Sequence, residues 1–234
     1  MSENNSQYDV IVIGAGVAGL YQLFKLRQLK LKALVIEAGD NVGGTWYWNR
    51  YPGARFDSES WSYGYSFSKE LFEEWDWPEH FAAQPDTLRY LNYVADKFDF
   101  RRDIKFDRRV EACVFDQHNN LWTVRTNTKE EYVARFLITA LGPLSAFTLP
   151  NIEGRETFKG PAYHTARWPH EEVDFSGKRV GIIGTGACAI QTIQTIAKDV
   201  AHLTVFQRSP NWAAPLNNSV ITEDEQKQIK QDFE

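Results

Sequence analysis

The 234-residue sequence predicts an α/β fold made of two glycine-rich strand–loop–helix units. Two observations carry that prediction. The β-branched run Val10-Ile-Val-Ile13 enters Gly14-Ala-Gly16-Val-Ala-Gly19, and Lys178-Arg-Val-Gly-Ile-Ile183 enters Gly184-Thr-Gly186-Ala-Cys-Ala189. Short runs of this kind read as buried parallel strands, and apolar residues at helical spacing follow both loops. Strand, G-x-G-x-x-G/A and helix in that order is the context of a dinucleotide site, so two Rossmann-like domains are expected. The expected boundaries are 1–145 for the first domain, 146–177 for a linker, and 178–234 for an incomplete second domain.

Composition narrows the function. Hydrophobic residues make up 43% and charged residues 24%, the balance of a globular chain rather than a disordered one. A net charge of -5 argues against nucleic acid, which needs a basic face to neutralise phosphates. Cys113 and Cys188 lie too far apart for a metal or redox pair, in keeping with a reducing compartment. The N-terminus Met-Ser-Glu-Asn-Asn-Ser-Gln lacks the basic start of a signal peptide, and Val10 to Leu20 is too short and glycine-rich to span a bilayer. A cytoplasmic protein without a membrane span is expected.

In the first unit, Gly14 permits the tight turn, Gly16 lets backbone approach a pyrophosphate, and Gly19 lets the helix pack against the strand. Leu20, Leu23, Phe24 and Leu26 give that helix its apolar side. A second strand, Ala33-Leu-Val-Ile36, ends at Glu37, roughly 20 residues past the glycines, where a carboxylate takes adenosine ribose hydroxyls. Pro85 to Phe98 reads as a structural helix with Leu88, Leu91, Val94 and Phe98 on one face. Strand-like segments 109–116, 121–126 and 131–138, separated by turns at 118–120 and 127–129, read as an antiparallel meander.

In the second unit, Ile190, Ile193, Ile196 and Ala197 mark the helix, and His202 to Ser209 the next strand. No acid ends that strand; Arg208 stands there. A guanidinium pairs bidentately with a 2′-phosphate that an acid would repel, so this site is expected to prefer NADPH, with Arg208 and Ser209 on the phosphate. Cys188, near the helix start, reads as a small packing residue. Thr222-Glu-Asp-Glu225 has the form of a capping box opening a further helix, inside which the chain ends at Glu234.

Between the two units lies Phe158-Lys-Gly160-Pro-Ala-Tyr-His164-Thr-Ala-Arg-Trp168-Pro169. At this Phe-x-Gly-x-x-x-His-x-x-x-Trp-Pro linker the chain resembles the Baeyer–Villiger monooxygenases, flavoenzymes that insert oxygen beside a ketone carbonyl. The resemblance implies FAD in the first site and NADPH in the second, with a ketone and O2 as substrates and a flavin C4a-peroxide as intermediate. It places Thr45 and Trp46 of the loop from Gly43 at the flavin, with Trp48 and Tyr63 of the aromatic run among the cofactor contacts. Asp57 falls beside the flavin and Arg55 on the nicotinamide side; Phe56 departs from the small residue usual there. Val110 would hold the adenine edge, and Phe136 to Gly142 would be the returning strand and turn. Thr185, Gly186, Ala187, Cys188, Ala189, Ile190 and Gln191 would line the NADPH pyrophosphate and nicotinamide.

No catalytic residue is assignable from the sequence; Asp57, Arg55 and His164 are supporting candidates. His164 can act as an acid or base near neutral pH, or anchor the linker through hydrogen bonds. Family members are longer than this chain, which is expected to be their N-terminal portion. A complementing C-terminal portion would supply the arginine that stabilises the peroxide. The alternatives are a truncated nucleotide-binding fragment or subunit without turnover alone, and an N- or S-oxygenating flavin monooxygenase. No metal site is expected.

Overall fold

A computed structural model describes residues 7–231. The readings of the N-terminal hexapeptide and of the chain end at Glu234 lie outside the described residues. In chain order the elements are β1 (Gln7–Ile13), α1 (Val17–Gln28), β2 (Ala33–Ile36) and the short helices α2 (Thr45–Trp48), α3 (Ser60–Tyr63) and α4 (Lys69–Glu74). Then come α5 (Gln84–Lys97), β3 (Ile104–Lys105), β4 (Val110–Asp116), β5 (Leu121–Thr126) and β6 (Glu131–Thr139). The last elements are β7 (Arg179–Ile183), α6 (Ala187–Ile196), β8 (His202–Phe206) and α7 (Glu223–Gln231). The architecture is α/β, as the two runs of alternating strand and helix predict.

Contacts divide the chain into two compact units, one of residues up to 47 with 91–147, the other of 48–90 with 148 onward. The first holds a six-stranded sheet in the order β3-β2-β1-β6-β5-β4. Strands β3, β2, β1 and β6 run parallel, while β5 and β4 continue antiparallel. Val10 to Ile13 are all buried, as are Leu34, Val35 and Ile36 opposite them. Burial of such side chains contributes about 1.5–3 kcal/mol each. The α1 residues Leu20, Leu23 and Leu26 close one face, while Phe24 meets Phe98 edge-on at 5.6 Å.

The meander forms as expected, with one refinement. Its third strand and the returning strand are the same nine residues: β6 pairs antiparallel with β5 and parallel with β1. The turn after β4 is closed by the Asp116 carboxylate, which accepts the N–H groups of His118 and Asn119 and leaves His118 exposed. Asn120 takes the left-handed conformation there (φ 55°), which Asn tolerates better than most residues.

The second unit has a two-stranded parallel sheet, β7 with β8, joined through α6. Its segment 48–90 is built on aromatic rings. Phe56 stacks on Tyr63 at 4.4 Å and meets Trp77 edge-on, and Trp77 and Trp75 pack on Tyr90 at 4.9 and 5.1 Å. The Tyr90 hydroxyl accepts the Tyr65 N–H at 2.7 Å. The capping box is present: Thr222 N–H donates to Glu225 and Glu225 N–H to the Thr222 hydroxyl, opening α7. The Thr222 N–H first, and then the Thr222 hydroxyl, both donating to the carboxylate, hold the Glu225 carboxyl below its ordinary pKa.

Candidate functional site

The first glycine loop is set by close packing. Gly14 has φ +103°, and a Cβ there would lie 2.6 Å from the Ala140 carbonyl oxygen. A Cβ on Gly19 would lie 1.8 Å from the Gly14 carbonyl oxygen, and one on Gly44 (φ +52°) 2.8 Å from Gly16 Cα. Gly43 N–H donates to Ala15 O at 3.0 Å, so the loop leading to Thr45 rests on the first glycine turn. Helix α1 begins at Gly16 with no side-chain cap and no acid in its first turn, the arrangement that suits an anion.

Glu37 is buried at the end of β2. One carboxylate oxygen accepts Ala15 N–H at 2.7 Å and the other accepts Gly39 N–H at 2.8 Å. It therefore braces the glycine loop. A carboxylate offers about four lone-pair sites, so acceptor capacity for hydroxyl donors remains. Trp46 and Tyr47 are buried in α2, with Tyr47 hydroxyl donating to Asp40, while Thr45 is half-buried. Val110 opens β4 opposite Thr126, beside a register irregularity between Val110 and Ala112.

The second loop has the same backbone but no such packing. Gly184 has φ +104°, Gly186 caps α6 without a side-chain bond, and a Cβ on either would meet nothing within 4 Å. Thr185 hydroxyl accepts an amide N–H of Gln207 at 2.9 Å, which ties the loop to the end of β8. Ala187 is exposed and Cys188, Ala189 and Ile190 half-buried along the first turn of α6, and Arg208 and Ser209 are exposed just past β8. No acid occupies the first turn of α6.

Gln191 faces the segment 51–55. Its amide oxygen accepts the Tyr51 hydroxyl at 2.8 Å, and its amide nitrogen donates to Arg55 O at 2.9 Å. Burial first, then the Cys188 thiol beside it, pushes the Tyr51 hydroxyl well above its ordinary pKa, so it stays a donor. The Arg55 guanidinium donates to Glu79 at 3.0 Å and to Phe81 O at 3.1 Å, and Asn218 donates to the same Glu79 oxygen. Asp57 is exposed, next to the buried Phe56. Trp48 lies under the Arg167 guanidinium at 5.1 Å.

His164 caps a 3-10 turn, Thr165–Arg167, its Nδ1 accepting Ala166 N–H at 3.1 Å. Partial burial, then the nearby Arg167 charge, lowers its pKa, which favours the neutral ring that bond requires. Trp168 packs between Tyr163 and Phe175, and the Phe158 ring lies over Gly160. The sequence reading missed Tyr51, Glu79 and Asn218. Gly53 was the available signal, since a glycine between Pro52 and Ala54 marks close backbone approach; nothing local marks Glu79. Among the described residues no group of His, Cys, Asp and Glu could hold a metal, and no helix is long and apolar enough to cross a membrane.

A family profile described as pyridine nucleotide-disulphide oxidoreductase matches residues 11–231, which takes in both loops. The chain belongs to that family. It is similar to the acetone monooxygenase (methyl acetate-forming) of Gordonia sp. (strain TY-5), 48% identical over 96% of this chain and 42% of that one. It is 46% identical to a Baeyer–Villiger monooxygenase of Pseudooceanicola batsensis, over 92% of this chain and 39% of that one. A crystal structure of OTEMO in complex with FAD and NADP superimposes with TM-score 0.93 at 47% identity, covering 99% of this chain and 44% of that one. The resemblance drawn from the linker is thus to the right group of oxidoreductases. The chain spans about two fifths of the length of these relatives.

Proposed function

We propose that this chain is the FAD- and NADPH-binding portion of a cytoplasmic Baeyer–Villiger monooxygenase that converts a ketone and O2 to an ester or lactone. The observation that carries the reading is the pair of glycine loops with opposite charges at the following strand ends, Glu37 after β2 and Arg208 after β8. In the first site, the Gly14–Gly16 backbone and the uncapped start of α1 would receive the FAD pyrophosphate. Glu37 would accept the ribose hydroxyls with the lone pairs its two backbone donors leave. In the second, Gly184 and Gly186 leave open space for a pyrophosphate at the start of α6, and Arg208 with Ser209 would take the 2′-phosphate.

The flavin and nicotinamide, when bound, supply hydride transfer and oxygen activation. The protein's part is to bind, orient and shield them. Gln207 ties the Thr185 hydroxyl to the end of β8, and Glu79 holds the guanidinium of Arg55. The similarity to a relative named as acetone monooxygenase (methyl acetate-forming) supports a ketone as substrate. The test is to add FAD and NADPH to the purified protein, then a cyclic ketone in air. A yellow protein that consumes NADPH and yields a lactone supports the proposal; a protein that retains no FAD ends it.

A further inference from the structure

The segment Tyr51-Pro-Gly-Ala-Arg55 is fastened to α6 by two independent features. Gln191 uses both ends of its amide, accepting from the Tyr51 hydroxyl at 2.8 Å and donating to Arg55 O at 2.9 Å. Gly53 lies directly on the helix: a Cβ there would sit 2.2 Å from the Thr195 hydroxyl oxygen and 2.6 Å from Gln191 O. Tyr51 is 7% exposed, so its hydroxyl has little water to turn to. Losing a partner at a buried polar group costs more than the bond itself contributes.

A side chain that only covered a ligand would keep donors or acceptors available. Gln191 has its oxygen and one N–H committed inside the protein. From this geometry we infer that Gln191 is a positioning residue, which places Arg55 from the helix that the second glycine loop opens. Arg55 is then held at both ends, its carbonyl by Gln191 and its guanidinium by Glu79, and Asn218 fixes Glu79 in turn. The Arg55 backbone is therefore held by α6, whose first turn would receive the second nucleotide, as well as by its antiparallel bridge to Ala83. This inference rests on the reading of that loop as an NADPH site.

Amide exchange and NADP+ affinity, measured on the purified protein, test it. Gln191→Leu removes all three bonds to the segment, the third being the Arg55 N–H to the Gln191 amide oxygen at 3.4 Å, and Tyr51→Phe removes one. Peptides covering 51–57 should exchange about five- to tenfold faster in Gln191→Leu, the scale of one or two lost hydrogen bonds. Tyr51→Phe should act in the same direction, and adding it to Gln191→Leu should speed exchange no further, since no bond to Gln191 remains to be lost. The two single variants should bind NADP+ with the same affinity. Unchanged exchange at 51–57 in Gln191→Leu would overturn the inference. So would NADP+ affinity at least tenfold weaker in Gln191→Leu than in Tyr51→Phe, which would make Gln191 a nucleotide ligand. If Gln191→Leu does not fold, Gln191→Glu keeps the acceptor for Tyr51, loses the donor to Arg55 and gives the same comparison. Absence of NADP+ binding by the unaltered protein would sink the nucleotide reading alone, since the exchange result still decides the clamp.

Discussion

The two glycine loops share a pattern and a backbone but differ in what surrounds them. In the first, a Cβ on Gly14, Gly19 or Gly44 would strike protein backbone within 3 Å. In the second, a Cβ on Gly184 or Gly186 would meet nothing within 4 Å. The strands differ likewise: Val10 to Ile13 are buried, whereas β7 and β8 are half-buried or exposed along their length. The first loop packs on Ala140, which follows the strand β6 beside β1, whereas among the described residues β7 is paired with β8 alone. The first loop needs glycine to fold; in the second, Gly184 needs its positive φ, and Gly186 only leaves room.

Substitutions can break that contrast, and Gly19→Ala should do so most strongly. Alanine in a helix normally gains up to about 1 kcal/mol over glycine. Here the 1.8 Å approach to the Gly14 carbonyl should outweigh it, for a net loss of about 3 kcal/mol or more, read as a lower urea midpoint. An unchanged midpoint would mean the first loop is no tighter than the second. Next, Glu37→Gln should destabilise the first unit by about 2 kcal/mol, because an uncharged amide cannot accept at both ends from Ala15 and Gly39.

In the second loop the effects should move from folding to ligand. Gly186→Ala, at φ -72° and ψ 177°, fits alanine without strain. Its unfolding free energy should stay within about 0.5 kcal/mol of wild type. NADP+ affinity should fall about tenfold by calorimetry, since the side chain enters the space left for the pyrophosphate. Arg208→Gln should reduce the preference for NADPH over NADH by about tenfold, with NADH affinity little changed.

The smallest effect concerns the linker. His164 has a folded pKa below the ordinary value of about 6.5, so the unfolded chain takes up the proton first. Its contribution to stability is full above that value and is lost as the pH falls below it. The melting temperature should decline on going from pH 8 to 5.5, and less steeply in His164→Asn, which keeps a capping acceptor but does not titrate. Equal slopes would show that the ring nitrogen does not carry the cap.

Much of this was legible in the sequence, because the signals were local. The β-branched runs, both glycine turns, the helix from Pro85 and the box at Thr222–Glu225 each sit within a few residues, where periodicity and capping chemistry act. The long-range partners were not legible. Gln191 could be placed on α6 from its spacing, but nothing local says that Tyr51, 140 residues away, supplies its donor. Glu79 sits in a loop with no pattern, and its pairing with Arg55 depends on the chain returning through Asn218. The doubled role of β6 escaped for the same reason, since strand partners on both sides are fixed only by the sheet.

We propose that the chain holds two separate dinucleotide sites of different preference. Binding stoichiometry measures it most directly: FAD retained through gel filtration, followed by calorimetric titration with NADP+. Two such sites should give one FAD per chain, one further NADP+ per chain, and no release of FAD as NADP+ saturates. Displacement of FAD by NADP+, or a single nucleotide bound in total, would contradict it.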